Sequence, residues 1–245
     1  MVDRHKSPDY FLEQGLIRLQ ELYPACGPLK DSGRIAGLLN RYLAEIELFN
    51  RAYGLVKAAG SCEIVVKHIL DSLAPVDIIG RIAEERCMGK GGAEAGRALD
   101  YPAIADVGSG AGLPGIPLAI ALPGYRFTLI ERMGRRAGFL LNTLAVLGLP
   151  NVQLEEIELE QAAPGRFDVI VFRAVKPLDN NLFTELVRLL APGGILAAYK
   201  GLKDKALEEL RLVENRTARW ELIPLEVPFL DEERHLLIME PSKNN

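Results

Sequence analysis

The stretch Ala105-Asp-Val-Gly-Ser-Gly-Ala-Gly-Leu-Pro-Gly115 crowds four glycines, Gly108, Gly110, Gly112 and Gly115, where an apolar run must turn into a helix. Glycine accepts positive φ and lets a ligand approach the backbone, so such a loop is suited to holding a cofactor. Upstream, residues 104–107 read as the end of a strand. Downstream, Pro114 suits the first helical position ahead of Ile116, Leu118, Ala119, Ile120 and Leu122. Strand, glycine loop and helix open a nucleotide-binding βαβ unit.

Dehydrogenases and methyltransferases share this glycine pattern, and Asp106 separates them. A carboxylate there repels a pyrophosphate but accepts hydrogen bonds, directly or through water, from a cationic ligand with an amino group. S-adenosylmethionine is such a ligand; the other reading of Asp106 is a surface carboxylate capping the loop. Glu131 ends the strand Phe127-Thr-Leu-Ile-Glu131, about 20 residues on, where a ribose carboxylate belongs. It fits either cofactor.

A chain of 245 residues buries a full core as one large or two small domains, and 49% apolar with 25% charged residues is an ordinary globular balance. Charges appear from Asp3 onward, so no signal peptide is expected, and the longest apolar stretch is too short to span a bilayer. Cys26, Cys62 and Cys87 are odd in number and widely spaced, which argues against zinc and a disulfide framework and for a reducing cytoplasm. The net charge of −4 weighs against a wholly basic nucleic-acid binder, yet phosphate contacts need only a local basic face. No heptad or long apolar face demands a dimer, so a monomer is expected.

Helical spacing over 8–24 and 32–59, and from Glu63 to about Leu73 before Pro75, predicts an N-terminal helical region (1–100). Arg86 to Arg97 reads as a loop joining it to a core (101–245). There, strands are predicted at 103–107, 126–131, 152–156, 167–172, 194–200, 219–227 and 235–240. Helices are predicted at Arg135–Leu147, Leu182–Leu190 and Asp204–Thr217. This order predicts a Rossmann-like α/β fold with a seven-stranded, mostly parallel sheet and one antiparallel strand from a terminal hairpin. That is the architecture of class I methyltransferases. Ligands sit at the carboxyl edge of such sheets, which places Gly108, Glu131 and Arg173 around one crevice.

Arg173 follows an apolar strand and must find acceptors: a cofactor carboxylate, an RNA phosphate or a neighbouring acid. Lys200 reaches the same edge, with Arg132, Arg135, Arg136 and Lys176 as further members of a basic rim. Lys203 and Lys205 read as a solvated helix face. His68 and Asp71, three apart on a helix, share a face. No Asn-Pro-Pro-Tyr motif follows the fourth strand, all three cysteines precede the glycine loop, and no ligand cluster suggests a metal.

The chain resembles the glucose-inhibited division protein B family, the small-subunit rRNA guanine-N7 methyltransferases. The resemblance is carried by Phe49-Asn-Arg-Ala-Tyr-Gly-Leu55, Lys67-His-Ile-Leu-Asp-Ser-Leu73, Asp106 through Pro117, Phe167 to Ala174, and Glu233-Arg-His-Leu236. It departs from the family at Phe49-Asn50, Gly54-Leu55-Val56 and Arg135, and residues 80–100 are longer than the family pattern. The resemblance implies methyl transfer from S-adenosylmethionine, leaving S-adenosylhomocysteine, to N7 of one guanine in 16S rRNA (rRNA position 527), on free rRNA or the small ribosomal subunit. It implies that Asp106, Gly108, Gly110, Gly112 and Leu113 form the cofactor loop, that Glu131 holds the ribose, and that Leu159 and Glu160 flank the adenine. It implies that Arg173 completes that site near the methionine or the incoming guanine. From their predicted common edge, His68, Asp71, Arg173 and Lys200 are candidates for holding the guanine, with Arg135, Arg136 and Lys176 as candidates for RNA contacts. A small-molecule methyltransferase and a non-catalytic cofactor-binding regulatory module are the competing readings.

Overall fold

The computed structural model describes residues 6–23, 27–89, 101–173 and 177–242. Helix α1 (Pro8–Leu22) is capped by Ser7 and buries Phe11, Leu12, Leu16 and Leu19. Helix α2 (Ser32–Tyr53) is capped by Asp31 and buries Ile35, Leu39, Tyr42, Leu43 and Ile46 at three- and four-residue steps. It stops short of the expected residue 59 because Gly54 turns left-handed, with φ 59°, and returns its N–H to Asn50 O.

Helix α3 (Ser61–Ile64) runs through a π-helical stretch (Val65–Leu70) into α4 (Asp71–Leu73). Ahead of Pro75 this element ends as expected. Pro75 then opens α5 (Val76–Gly89), accepting from Ile79 N at 2.9 Å. This helix is a correction: Arg86 to Gly89 are its last turn rather than a loop, because Val76, Ile79 and Ala83 bury a face upstream. The remainder of the expected loop, to Arg97, lies outside the described residues.

The strands are β1 (Ala103–Val107), β2 (Arg126–Ile130), β3 (Val152–Glu155), β4 (Phe167–Arg173), β5 (Leu190–Lys200), β6 (Thr217–Pro224) and β7 (His235–Pro241). Their order is β3-β2-β1-β4-β5-β7-β6. The first five in that order pair in parallel, and β7 runs antiparallel to both β5 and β6. The expected sheet is therefore present. Boundaries shift by a few residues; β6, for one, spans Thr217–Pro224 instead of the expected 219–227. Strand β5 begins at Leu190 instead of 194, because Gly194 packs into the ladder, where an added Cβ would meet Phe167 O at 2.8 Å. Helix α9 (Lys203–Arg211) ends before the expected Thr217, since Val213 turns fully into the core and Thr217 already belongs to β6.

Alternation along β1 sorts the layers. Ile104 joins one cluster with α1–α5, α6 (Gly115–Ala121) and α7 (Gly134–Leu147); Ala105 and Val107 join another with α8 (Asn180–Leu189) and α9. The N-terminal helices thus share their core with one face of the sheet. The strand order reverses between β1 and β4, and a crevice opens at the carboxyl ends of those strands. Among the described residues no helix is long and apolar enough to cross a membrane, and no cluster of metal-ligating side chains occurs.

Candidate active site

One wall of the crevice is the glycine loop after β1. Gly108 N and Ser109 N both donate to Ile130 O of β2, at 2.9 and 3.2 Å, which fixes the loop across two strands. Gly110 sits at φ +61°, where an added Cβ would make only ordinary contact with Gly108 O at 3.8 Å, and its N–H donates to Glu131 Oε2 at 2.8 Å. Gly112, at φ +87°, serves packing instead: a Cβ there would lie 2.4 Å from Ile116 Cδ1. Pro114 occupies the cap position and α6 begins at Gly115, one residue later than expected. Gly115 N and the Ser109 hydroxyl donate to Asp106 Oδ2 at 2.9 and 2.6 Å.

Asp106 is 1% exposed, so it is not a surface cap. Its Oδ1 is buried without a hydrogen-bond partner. Burial raises its carboxyl to about 6, against the opposing bonds from Ser109 and Gly115. Glu131, also buried, completes its second oxygen with Met133 N at 2.9 Å. From the helical side, the buried Tyr42 hydroxyl donates to Ala111 O at 2.6 Å. Desolvation drives this phenol well above its ordinary value, so it remains a donor.

The opposite wall is a chain of charges. Arg173, the last residue of β4, donates through NH1 to Asp71 Oδ2 at 2.8 Å, and Arg234 Nε stands 3.1 Å from Asp71 Oδ1. The second contact is an ion pair rather than a hydrogen bond. Asp71 reaches this position from the π-distorted helix. That helix is anchored to the sheet by Tyr199 of β5, whose hydroxyl donates to Ser72 O at 2.8 Å. His68, on the same segment, contacts Lys57 O through Nε2 at 3.4 Å, and burial followed by Arg173 lowers its tendency to protonate. Lys200 ends β5 and pairs with Glu209 at 2.6 Å. His235 opens β7, its Nδ1 2.7 Å from Gly201 O. The walls enclose a crevice of about 900 Å³, whose cations are Lys57, Lys67, Arg136, Arg173, Lys200, Lys205 and Arg234.

A family described as GidB, rRNA small subunit methyltransferase G, matches residues 35–237. The chain belongs to the rRNA small subunit methyltransferase G family. It is 38% identical over 224 residues to the ribosomal RNA small subunit methyltransferase G of Treponema denticola, covering 86% of this chain and 88% of that one. To the protein of the same name from Burkholderia mallei it is 37% identical over 247 residues, with 98% of each covered. Among solved structures, the CurJ carbon methyltransferase aligns with a TM-score of 0.55 at 14% identity, over 94% of this chain and 71% of that one. A SAM-dependent methyltransferase from Aquifex aeolicus gives 0.50 at 18%, over 70% and 92%. These two likenesses concern the fold.

In this member of the rRNA small subunit methyltransferase G family, the crevice brings together His68, Asp71, Gly108, Gly110, Leu113, Arg136, Arg173 and Lys200 from the sequence expectations. Asp106, Gly112 and Glu131 stand behind the loop and brace it. Leu159 and Glu160 lie on a short turn outside the crevice lining, where Leu159 O accepts from Arg188, and Arg135 is exposed away from it. Lys205, read as a solvated face, lines the crevice; Lys176 lies outside the described residues. Tyr42, Tyr199, Arg234 and His235 were missed as site residues. For the last two the signal was present: His235 opens the predicted final strand and Arg234 precedes it, and an antiparallel strand starts at the edge where its parallel neighbours end.

Proposed function

We infer that this protein transfers a methyl group from S-adenosylmethionine to N7 of a single guanine in 16S rRNA. The observation that carries the reading is the cationic crevice placed against the glycine loop, on a chain whose net charge is −4. A local basic face of this kind suits RNA phosphates, with specificity left to a base brought into the crevice. The family membership agrees.

The residues fit the cofactor. Asp106 Oδ1 is a buried acceptor without a partner beside the loop, Gly110 presents no side chain to the crevice, and Glu131 follows β2 where ribose hydroxyls are bound in such folds. When bound, S-adenosylmethionine supplies an electrophilic methyl on a cationic sulfur. Guanine N7 carries a lone pair and no proton, so the chain need not provide a strong base. What it provides is placement: the loop backbone on one side and the Asp71–Arg173–Arg234 array on the other hold two reactants in line and exclude water. His68, kept neutral by burial and by Arg173, adds no positive charge where the alkylated ring becomes cationic. Lys200, Lys205 and Arg136 offer phosphate contacts at the rim.

A small-molecule methyltransferase calls for a closed aromatic pocket; here Phe172 and Tyr199 are flanked by cations instead. We place the protein in the cytoplasm, as a monomer acting on the ribosomal small subunit. The test is transfer of labelled methyl from S-adenosylmethionine to small subunits lacking their N7 mark. Labelled 7-methylguanine at one position is expected, and cofactor binding without transfer to RNA overturns the assignment.

A further inference from the structure

We propose that His235 reads the Watson–Crick edge of the target guanine, its Nε2 accepting a hydrogen bond from the exocyclic N2 amino group. The proposal rests on the guanine reading above and deepens it to one contact.

A carbonyl oxygen only accepts, so the 2.7 Å contact between His235 Nδ1 and Gly201 O places the proton on Nδ1. An imidazole tautomer of this kind carries its lone pair on Nε2. His235 lines the crevice while only 8% exposed, so its ring is held in one orientation. The tautomer is set by backbone rather than by a mobile side chain. His68 lacks this definition, because its ring contact is 3.4 Å long.

Two carboxylates that line the crevice, Asp71 and Glu209, are paired with cations. Asp71 lies between Arg173 and Arg234, and Glu209 Oε2 accepts from Lys200 Nζ and from Leu178 N. His235 Nε2 is therefore the acceptor that β7 can offer to a base. Guanine presents donors only at N1 and N2, on the edge opposite N7. The sheet order supplies the matching separation: the glycine loop follows β1, and His235, paired with Lys200, stands three strands away. At about 4.8 Å per strand this is roughly 14 Å. A base with N7 turned toward the loop thus turns N1 and N2 toward β7. Adenine, whose exocyclic amine lies elsewhere and whose N1 is itself an acceptor, places a lone pair against Nε2.

The test compares guanosine with inosine, which lacks only the N2 amino group, at the target position of reconstituted small subunits. His235→Asn is the variant, because its amide nitrogen replaces Nδ1 toward Gly201 while nothing replaces Nε2. For the wild-type protein, kcat/KM is expected to fall about tenfold on inosine, the magnitude of one hydrogen bond of about 1.4 kcal/mol. For His235→Asn, guanosine and inosine are expected to react within twofold of each other. A purely structural role for His235 leaves the ratio unchanged. Retention of the tenfold preference by His235→Asn, or a wild-type ratio near one, overturns the proposal. Absence of transfer to guanosine by the wild-type protein overturns the guanine reading itself, a distinct outcome.

Discussion

Asp71 is held between two guanidinium groups, with Oδ2 2.8 Å from Arg173 and Oδ1 3.1 Å from Arg234. The side chains come from a helix, the end of β4 and the residue before β7. Asp71→Asn leaves two partly buried cations without their anion. Removing one partner from such an array costs about 3–5 kcal/mol when fully buried, and the lower end is expected here because both arginines keep some solvent contact. Urea denaturation checks the loss; methyl transfer should fall further than cofactor affinity.

Asp106→Asn separates stability from binding. The wild-type carboxyl, at about 6 against an unfolded value of 3.8, favours the folded state when protonated. Its contribution is complete below pH 3.8 and is lost as pH rises through about 6. Ionising it in the fold therefore costs on the order of 3 kcal/mol at pH 8. The amide removes that cost, so the variant without cofactor should melt higher than wild type at pH 8, and the two should converge near pH 4. Calorimetric affinity for S-adenosylmethionine should drop at least about tenfold, the loss of one charge-assisted contact.

His68 has the opposite linkage. Its folded pKa lies below the ordinary histidine value, through burial and then Arg173. As pH falls below about 6.5, the unfolded chain takes up a proton that the folded site refuses, so stability declines. His68→Gln should melt with a shallower decline between pH 7 and 5 than wild type. Identical slopes count against a desolvated imidazole.

Two glycines of the loop should respond differently to alanine. Gly110→Ala meets strain from its φ of +61°, about 1–2 kcal/mol, but no collision, its Cβ lying 3.8 Å from Gly108 O. Gly112→Ala adds a collision with Ile116 and should destabilise more in denaturant titrations. Relative to that loss, Gly110→Ala should weaken cofactor binding more, since its Cβ enters the crevice wall.

Tyr42→Phe leaves Ala111 O without its donor in a buried setting. A loss of about 1–3 kcal/mol is expected in thermal or urea unfolding. Cofactor affinity should fall with it, because the loop loses its only described side-chain tie to α2.

The fold was legible because its signals are local. Glycine spacing after β1, alternating apolar runs and the hairpin before His235 specify strand order once right-handed crossovers are assumed. Helix ends were less so. Gly54 could have been read as a left-handed stop, and Pro75, which does follow the end of one helix, also as the residue that leads into the next. The site was half legible. His68, Asp71, Arg173 and Lys200 follow from edge positions, but a periodicity argument for His68 and Asp71 assumed 3.6 residues per turn, where the segment before Asp71 is π-helical. Tyr42 and Tyr199 look like core aromatics in sequence, and only the tertiary arrangement shows their hydroxyls reaching backbone carbonyls.

The Tyr42 bond also bears on how the molecule breathes. It joins the backbone at Ala111 to a helix whose inner face is fully packed, while Gly108 and Ser109 are tied to β2. A glycine-rich segment so fastened opens only when a larger cooperative unit opens. Amide hydrogens of the loop that are hydrogen-bonded, such as that of Gly108 to Ile130 O and that of Gly112 to Ser109 O, should therefore exchange at rates close to those of α2, orders of magnitude slower than the glycine content alone suggests.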